Sequence, residues 1–196
     1  SNQVLCNGEA TSIVEFTSQN SVGVTSYSWT NSNTSIGLPT TGDGDISSFT
    51  AINSSIAPLV ATIIVTPSSE FDGVVCSGED ETFTITVNPT AQVDKPIDQV
   101  FCTGDITSVI EFTTQNTGGF PSYTWTNNTP SIGLSSSGSG NIPAFTANNT
   151  TNTPVTAIIT VTPSFEYGDK FCPGEDKTFT ITVNPTAQVD EIAAQV

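Results

Sequence analysis

Residues 82 to 94 read TFTITVNPTAQVD, and residues 178 to 190 read TFTITVNPTAQVD again. At the start of that string Phe83, Ile85 and Val87 fall on one side of an extended chain, while Thr82, Thr84 and Thr86 fall on the other. Apolar and polar residues alternating with a period of two mark a half-buried strand. Thr, Phe, Ile and Val are also the residues that pack best on a pleated surface. Asn88-Pro89 ends the strand, because proline cannot donate to the interior of a ladder.

The duplication runs outward from this string to the whole chain. A shift of 96 positions puts Cys6 on Cys102, Trp29 on Trp125 and Cys76 on Cys172, with no gap. A period near a hundred residues suits one small domain per copy and is too long for a solenoid turn. Further strands are expected in the first copy at 3–6, 11–17, 24–30, 46–51 and 59–66, each with its counterpart 96 residues on. Helical periodicity is absent, and Gly, Pro and Asn are spread too evenly for long helices. The fold class expected is therefore all-β, with tandem immunoglobulin-like β-sandwich domains in a linear, rod-like array. Tyr27 and Trp29 alternate onto one face, as do Tyr123 and Trp125, and these are the expected core aromatics. The outward threonine rows are read as a solvent face filled with a strand-preferring residue.

The copies divide as 1–89, a repeat without its lead-in strand, then 90–185, then 186–196 as the start of the next. On this division TAQVDKPIDQV (90–100) is the first strand and lead-in of the second copy. Pro89 and Pro96 in so short a connection predict a semi-rigid junction. The unpaired strand at Ala187 to Val196 predicts head-to-tail docking on the first domain of a neighbouring molecule.

Charge removes several functions. Nineteen acidic residues stand against three lysines (Lys95, Lys170 and Lys177), with no Arg or His, for a net charge of −16. Nucleic acid requires cations to displace phosphate counterions, and an anionic membrane would repel this surface. No stretch approaches the twenty apolar residues of a membrane span, so direct insertion is not expected. An enzyme is not expected either. Without His, serine and cysteine triads lack their usual base, and the acidic clusters of the first copy are altered in the second, Glu79-Asp80-Glu81 becoming Glu175-Asp176-Lys177. Asp43-Gly44-Asp45 likewise becomes Ser139-Gly140-Asn141.

Those acids suit calcium better, since Asp, Asn and backbone oxygens are hard ligands. Asp43 and Asp45 in a Gly-rich loop, and Asp94 and Asp98 near the junction, are the candidate ligands; the competing reading is solvated acids in turns. The four cysteines, Cys6, Cys76, Cys102 and Cys172, show no CxxC spacing. They point to disulfides in an oxidising, extracellular setting. Repeat logic favours Cys6–Cys76 with Cys102–Cys172. In a simple seven-strand sandwich those turns lie at opposite ends, so this pairing needs the first cysteine early on an edge strand.

The first copy carries YSWTNSNTSIGL (27–38), ISSFTAIN (46–53), ATIIVTPS (61–68) and CSGEDETFTITVNPTAQVD (76–94), and the second shows the same pattern in YTWTNNTPSIGL, NIPAFTAN and CPGEDKTFTITVNPTAQVD. In this order they resemble the PKD-like, immunoglobulin-type repeats of giant surface adhesins of Bacteroidota, including those of gliding motility. Tyr27 and Trp29 look like the YxW element of PKD domains, although Thr30-Asn31-Ser32-Asn33 replaces the acidic, Gly-rich continuation. The resemblance implies export through the type IX system, display outside the outer membrane, and contact with a substratum or cell-surface glycans through the full adhesin. The role it implies is structural and adhesive, and the rival is a set of carbohydrate-binding modules.

Overall fold

The computed structural model describes residues 1–189. The first copy forms β1 (Gln3–Cys6), β2 (Val24–Asn31), β3 (Thr41–Asp43), β4 (Leu59–Phe71), β5 (Val74–Ser77) and β6 (Glu81–Asn88). The second forms β7 (Gln99–Cys102), β8 (Phe120–Asn127), β9 (Ser137–Ser139), β10 (Val155–Tyr167), β11 (Lys170–Pro173) and β12 (Lys177–Asn184). Each set makes a six-stranded sheet, in the order β1-β6-β4-β2-β3 with β5 on β4, and β7-β12-β10-β8-β9 with β11 on β10. The first strand of each set runs parallel to the last, Cys6 opposite Asn88 and Cys102 opposite Asn184. The chain is all-β and immunoglobulin-like.

The covering layer of each sandwich differs from the expectation. Residues 11–17 and 46–51 do not form a regular ladder; the isolated bridges Ala10↔Thr50 and Val14↔Ile46 and single bonds such as Thr11 N to Phe49 O connect this region. Side chains take the missing ladder positions. Phe49 N donates to Thr11 Oγ1 at 3.0 Å, and Phe16 N donates to Asp45 Oδ1 at 2.8 Å. Short polar side chains that bond the backbone compete with regular pairing in this way. The second copy repeats the arrangement with Phe145 N on Thr107 Oγ1 and Phe112 N on Asn141 Oδ1. The segment 90–100 also departs from a continuous strand: only Gln99 and Val100 belong to β7, and Ala91 makes an isolated bridge to Gly174.

Two compact units result. Unit 1 comprises Ser1–Ala91 with Asn116–Pro121 and Ser164–Gly174; unit 2 comprises Gln92–Gln115, Ser122–Pro163 and the chain from Glu175 on. In unit 1 the alternation of β4 and β6 buries Ala61, Ile63, Ile85 and Val87 completely. In unit 2, Ala157, Ile159, Ile181 and Val183 are buried in the same way. Each such Ile or Val is worth about 1.5–3 kcal/mol when taken out of water.

Trp29 and Trp125 lie in these cores, and Tyr27 and Tyr123 pack half-buried against them. Each indole packs directly against a glycine. A Cβ at Gly42 would stand 2.1 Å from Trp29 Cζ2, and one at Gly138 would stand 2.2 Å from Trp125 Cζ2. Gly42→Ala and Gly138→Ala are expected to destabilise their own unit by about 1–3 kcal/mol, the usual cost of overpacking. Urea unfolding followed by the tryptophan of each unit measures this. A midpoint unchanged in both variants would remove the indole–glycine contact from the account of the core.

Candidate functional site

The site is built by strands that outrun their sandwich. β4 and β10 are 13 residues long, but β4 pairs with β6 only over Leu59 to Val65. Its remainder turns back on itself as β5, Phe71 opposite Val74 and Ser69 opposite Cys76. The tip is a two-residue turn with positive φ at both residues, 52° at Asp72 and 77° at Gly73. Gly168 and Asp169, at 62° and 58°, do the same in the second copy. Such turns match the twist of the strands they join. The Asp72-Gly73 pair is a strong hairpin signal that a reading of this stretch as a single strand ending near 66 passes over.

In unit 1 the hairpin made by Ser164–Tyr167 and β11 lies against β1. Cys6 is disulfide-bonded to Cys172, with Cα atoms 5.4 Å apart and 166 positions between them in sequence. Around it, Cys6 N donates to Glu9 Oε2 at 2.9 Å and Lys170 Nζ lies 2.9 Å from Glu9 Oε1. Asn88, fully buried, donates from Nδ2 to Tyr167 O at 2.9 Å. The Cys6 amide first, and then Lys170, hold the Glu9 carboxyl below its ordinary range. Both members of this ion pair are more than a third exposed, so it adds at most about 1 kcal/mol. The disulfide closes a far longer loop, and the chain-entropy account gives it about 5 kcal/mol. The covalent bond dominates the site.

This pairing corrects the expected Cys6–Cys76 and Cys102–Cys172. Cys6 sits opposite Asn88, at the Leu59 end of β4, whereas Cys76 sits opposite Ser69. Ten residues of strand, about 33 Å, separate those levels, and disulfide geometry requires Cα atoms within about 7 Å. Cys76 and Cys102 are free and exposed.

Three of the four candidate calcium ligands have other tasks. Asp45 accepts from Phe16 N, and Asp94 Oδ2 accepts from Thr113 Oγ1 at 2.7 Å. Asp98 Oδ1 accepts from Thr180 N at 2.7 Å, and that bond is the main reason its carboxyl is lowered. Asp43 ends β3, exposed. The neutral Asn141 and Asn2 occupy the places of Asp45 and Asp98 and accept the same bonds, so these bonds need an oxygen and not a charge. Among the described residues no three of His, Cys, Asp and Glu gather to hold a metal.

Buried asparagines carry the loops, and the sequence reading missed them. Asn31 Nδ2 donates to Leu38 O at 2.8 Å, and Asn127 Nδ2 to Leu134 O at 3.0 Å. Asn53 Nδ2 donates to Ala57 O and Val87 O, as Asn149 does to Thr153 O and Val183 O. Their recurrence at the repeat distance is the signal that could have found them. One further feature of unit 1 is a shallow hollow of about 320 Å³ beside Phe16, Tyr27 and Phe83.

No protein-family model matches the chain, and no curated protein does. Among solved structures it is similar to chicken VE-cadherin EC1-2, at 13% identity over 95% of this chain and 98% of that one, with a TM-score of 0.47. Human protocadherin-24 EC1-2 follows at 11% identity over 83% of each chain, TM-score 0.34. Human mucin-like protocadherin EC1-2 is similar at 10% identity over 94% and 96%, TM-score 0.32.

Two outcomes follow from the geometry. Asp45→Asn should leave the urea midpoint of unit 1 unchanged, while Asp45→Ala should cost about 0.5–1.5 kcal/mol, the net worth of one hydrogen bond. Equal losses in both would show that the charge is used. In force spectroscopy on the chain held by its ends, the disulfide leaves only about 30 residues free to extend, about 100 Å, against about 700 Å after reduction. The same extension with and without reductant would exclude the Cys6–Cys172 bond.

Proposed function

We propose that this chain is a structural and adhesive repeat segment of a long cell-surface adhesin, serving as a semi-rigid stalk in surface attachment and gliding. On this reading it is exported through the type IX route, displayed outside the outer membrane, and has no catalysis of its own. The copies divide at 1–89 and 90–185, with 186–196 opening another. The docking of Ala187 to Val196 on a neighbour falls largely on residues outside those described.

The observation that carries this reading is the Cys6–Cys172 bond. It joins a strand of one copy to a hairpin of the next, so tension applied to the ends passes through a covalent bond and bypasses most of the folded chain. A cross-link of this kind suits a load-bearing element, and it requires an oxidising compartment. The charge of −16 supports exposure to solvent and argues against nucleic acid. Calcium would have to compete with the hydrogen bonds that Asp45, Asp94 and Asp98 already accept.

The hollow beside Phe16, Tyr27 and Phe83 supports the rival reading, a carbohydrate-binding module. Phe16 and Tyr27 are tilted 43° to each other with centroids 5.4 Å apart, a packing contact rather than a flat platform for a sugar. A glycan array probed with the whole chain separates the readings. The stalk reading expects no binding that free sugar competes away; competable binding lost in Tyr27→Ala would establish the module instead.

A further inference from the structure

Both halves of the Cys6–Cys172 contact have counterparts elsewhere in the chain, and the counterparts are open. β7 lies on β12 in the register of β1 on β6. Cys102 N donates to Asp105 Oδ2 at 2.8 Å, just as Cys6 N donates to Glu9. Yet Cys102 is exposed while Cys6 is buried. On the other side, Cys76 stands opposite Ser69 as Cys172 stands opposite Phe165, and it too is exposed where Cys172 is fully buried. The hairpin carrying it shows Phe71 and Val74 to solvent, each more than 60% exposed, whereas their counterparts Tyr167 and Lys170 in the docked hairpin are each under 40% exposed. Val100 is 66% exposed on β7, whereas its counterpart Val4 lies beside Gly168 of the docked hairpin.

We propose that Cys102 and Cys76 are the two open halves of the same link, and that their occupant is another copy of this chain. Cys102 of one molecule pairs with Cys76 of the next, whose β4–β5 hairpin docks on β7. What commits the occupant is equivalence: β7 and the β4–β5 hairpin repeat the registers of the two surfaces that this chain already joins through Cys6 and Cys172. The contact is heterologous, so it propagates instead of closing into a dimer.

The step needs an oxidant, and a small disulfide such as oxidised glutathione serves. The Cys102 thiolate attacks one glutathione sulfur, forms a mixed disulfide and expels one glutathione thiolate. The Cys76 thiolate of the second molecule then attacks the Cys102 sulfur and expels the other. Two protein thiols are oxidised and one glutathione disulfide is reduced to two thiols.

One contact is not reproduced. Val74 occupies the place of Lys170, so Asp105 would meet no cation. This gives the proposal a handle that random collision lacks, because Val74→Lys should restore the ion pair and speed the link.

The experiment mixes the Cys76→Ser and Cys102→Ser variants of the 196-residue chain in a glutathione redox buffer, each retaining one free thiol at an exposed position. Non-reducing electrophoresis and disulfide peptide mapping follow the products, with the Cys6–Cys172 peptide as the check on folding. Docking raises the local thiol concentration, so Cys102–Cys76 heterodimers should form at least about tenfold faster than either homodimer. Val74→Lys in the Cys102→Ser partner should accelerate them further at low salt, and the unmixed wild type should give a ladder. Homodimers at the same rate as heterodimers, glutathione adducts alone, or no response to Val74→Lys would each overturn the proposal.

Discussion

The length of β4 and β10 sets the rest of the structure. A strand that crosses a sandwich needs about seven residues to pair with its inner neighbour, and these have 13. In the first copy β2 pairs one side of the surplus, Tyr27 to Val24 opposite Pro67 to Glu70, and the other side would leave amides and carbonyls without partners at an edge. The surplus folds back through a tight two-residue turn and becomes a self-paired hairpin. The hairpin carries its cysteine far from the one at the end of the first strand of its own copy. From that displacement follow the long-range disulfide, the burial of Cys172 and Phe165, and the exposure of Cys76.

Around this frame, neutral oxygen and amide groups do the local work. Thr11, Asn31 and Asn53 and their counterparts Thr107, Asn127 and Asn149 bond the backbone of loops that have no regular ladder. Each buried amide group placed this way offsets a desolvation penalty that a buried charge could meet only with a partner. The chain has three lysines for nineteen acids, so few such partners exist. Acids are accordingly kept at exposed turns, where Asp45 and Asp98 accept a single amide each and can be exchanged for asparagine between copies.

Much of this was legible beforehand, and what was missed has one cause. The alternation in TFTITV marks β6 and β12, and the tryptophans on the same period mark a core, because a strand's two faces follow from a spacing of two residues alone. The 96-residue repetition likewise marks two like units without any structure. The pairing of Cys6 with Cys172, the reduction of 11–17 and 46–51 to isolated bridges, and the employment of Asp45, Asp94 and Asp98 were not legible. Each depends on which residues meet across long separations. Local pattern is written in the chain, whereas the level at which a hairpin ends relative to a strand 166 positions away is decided only when strand length, twist and register are assembled in three dimensions.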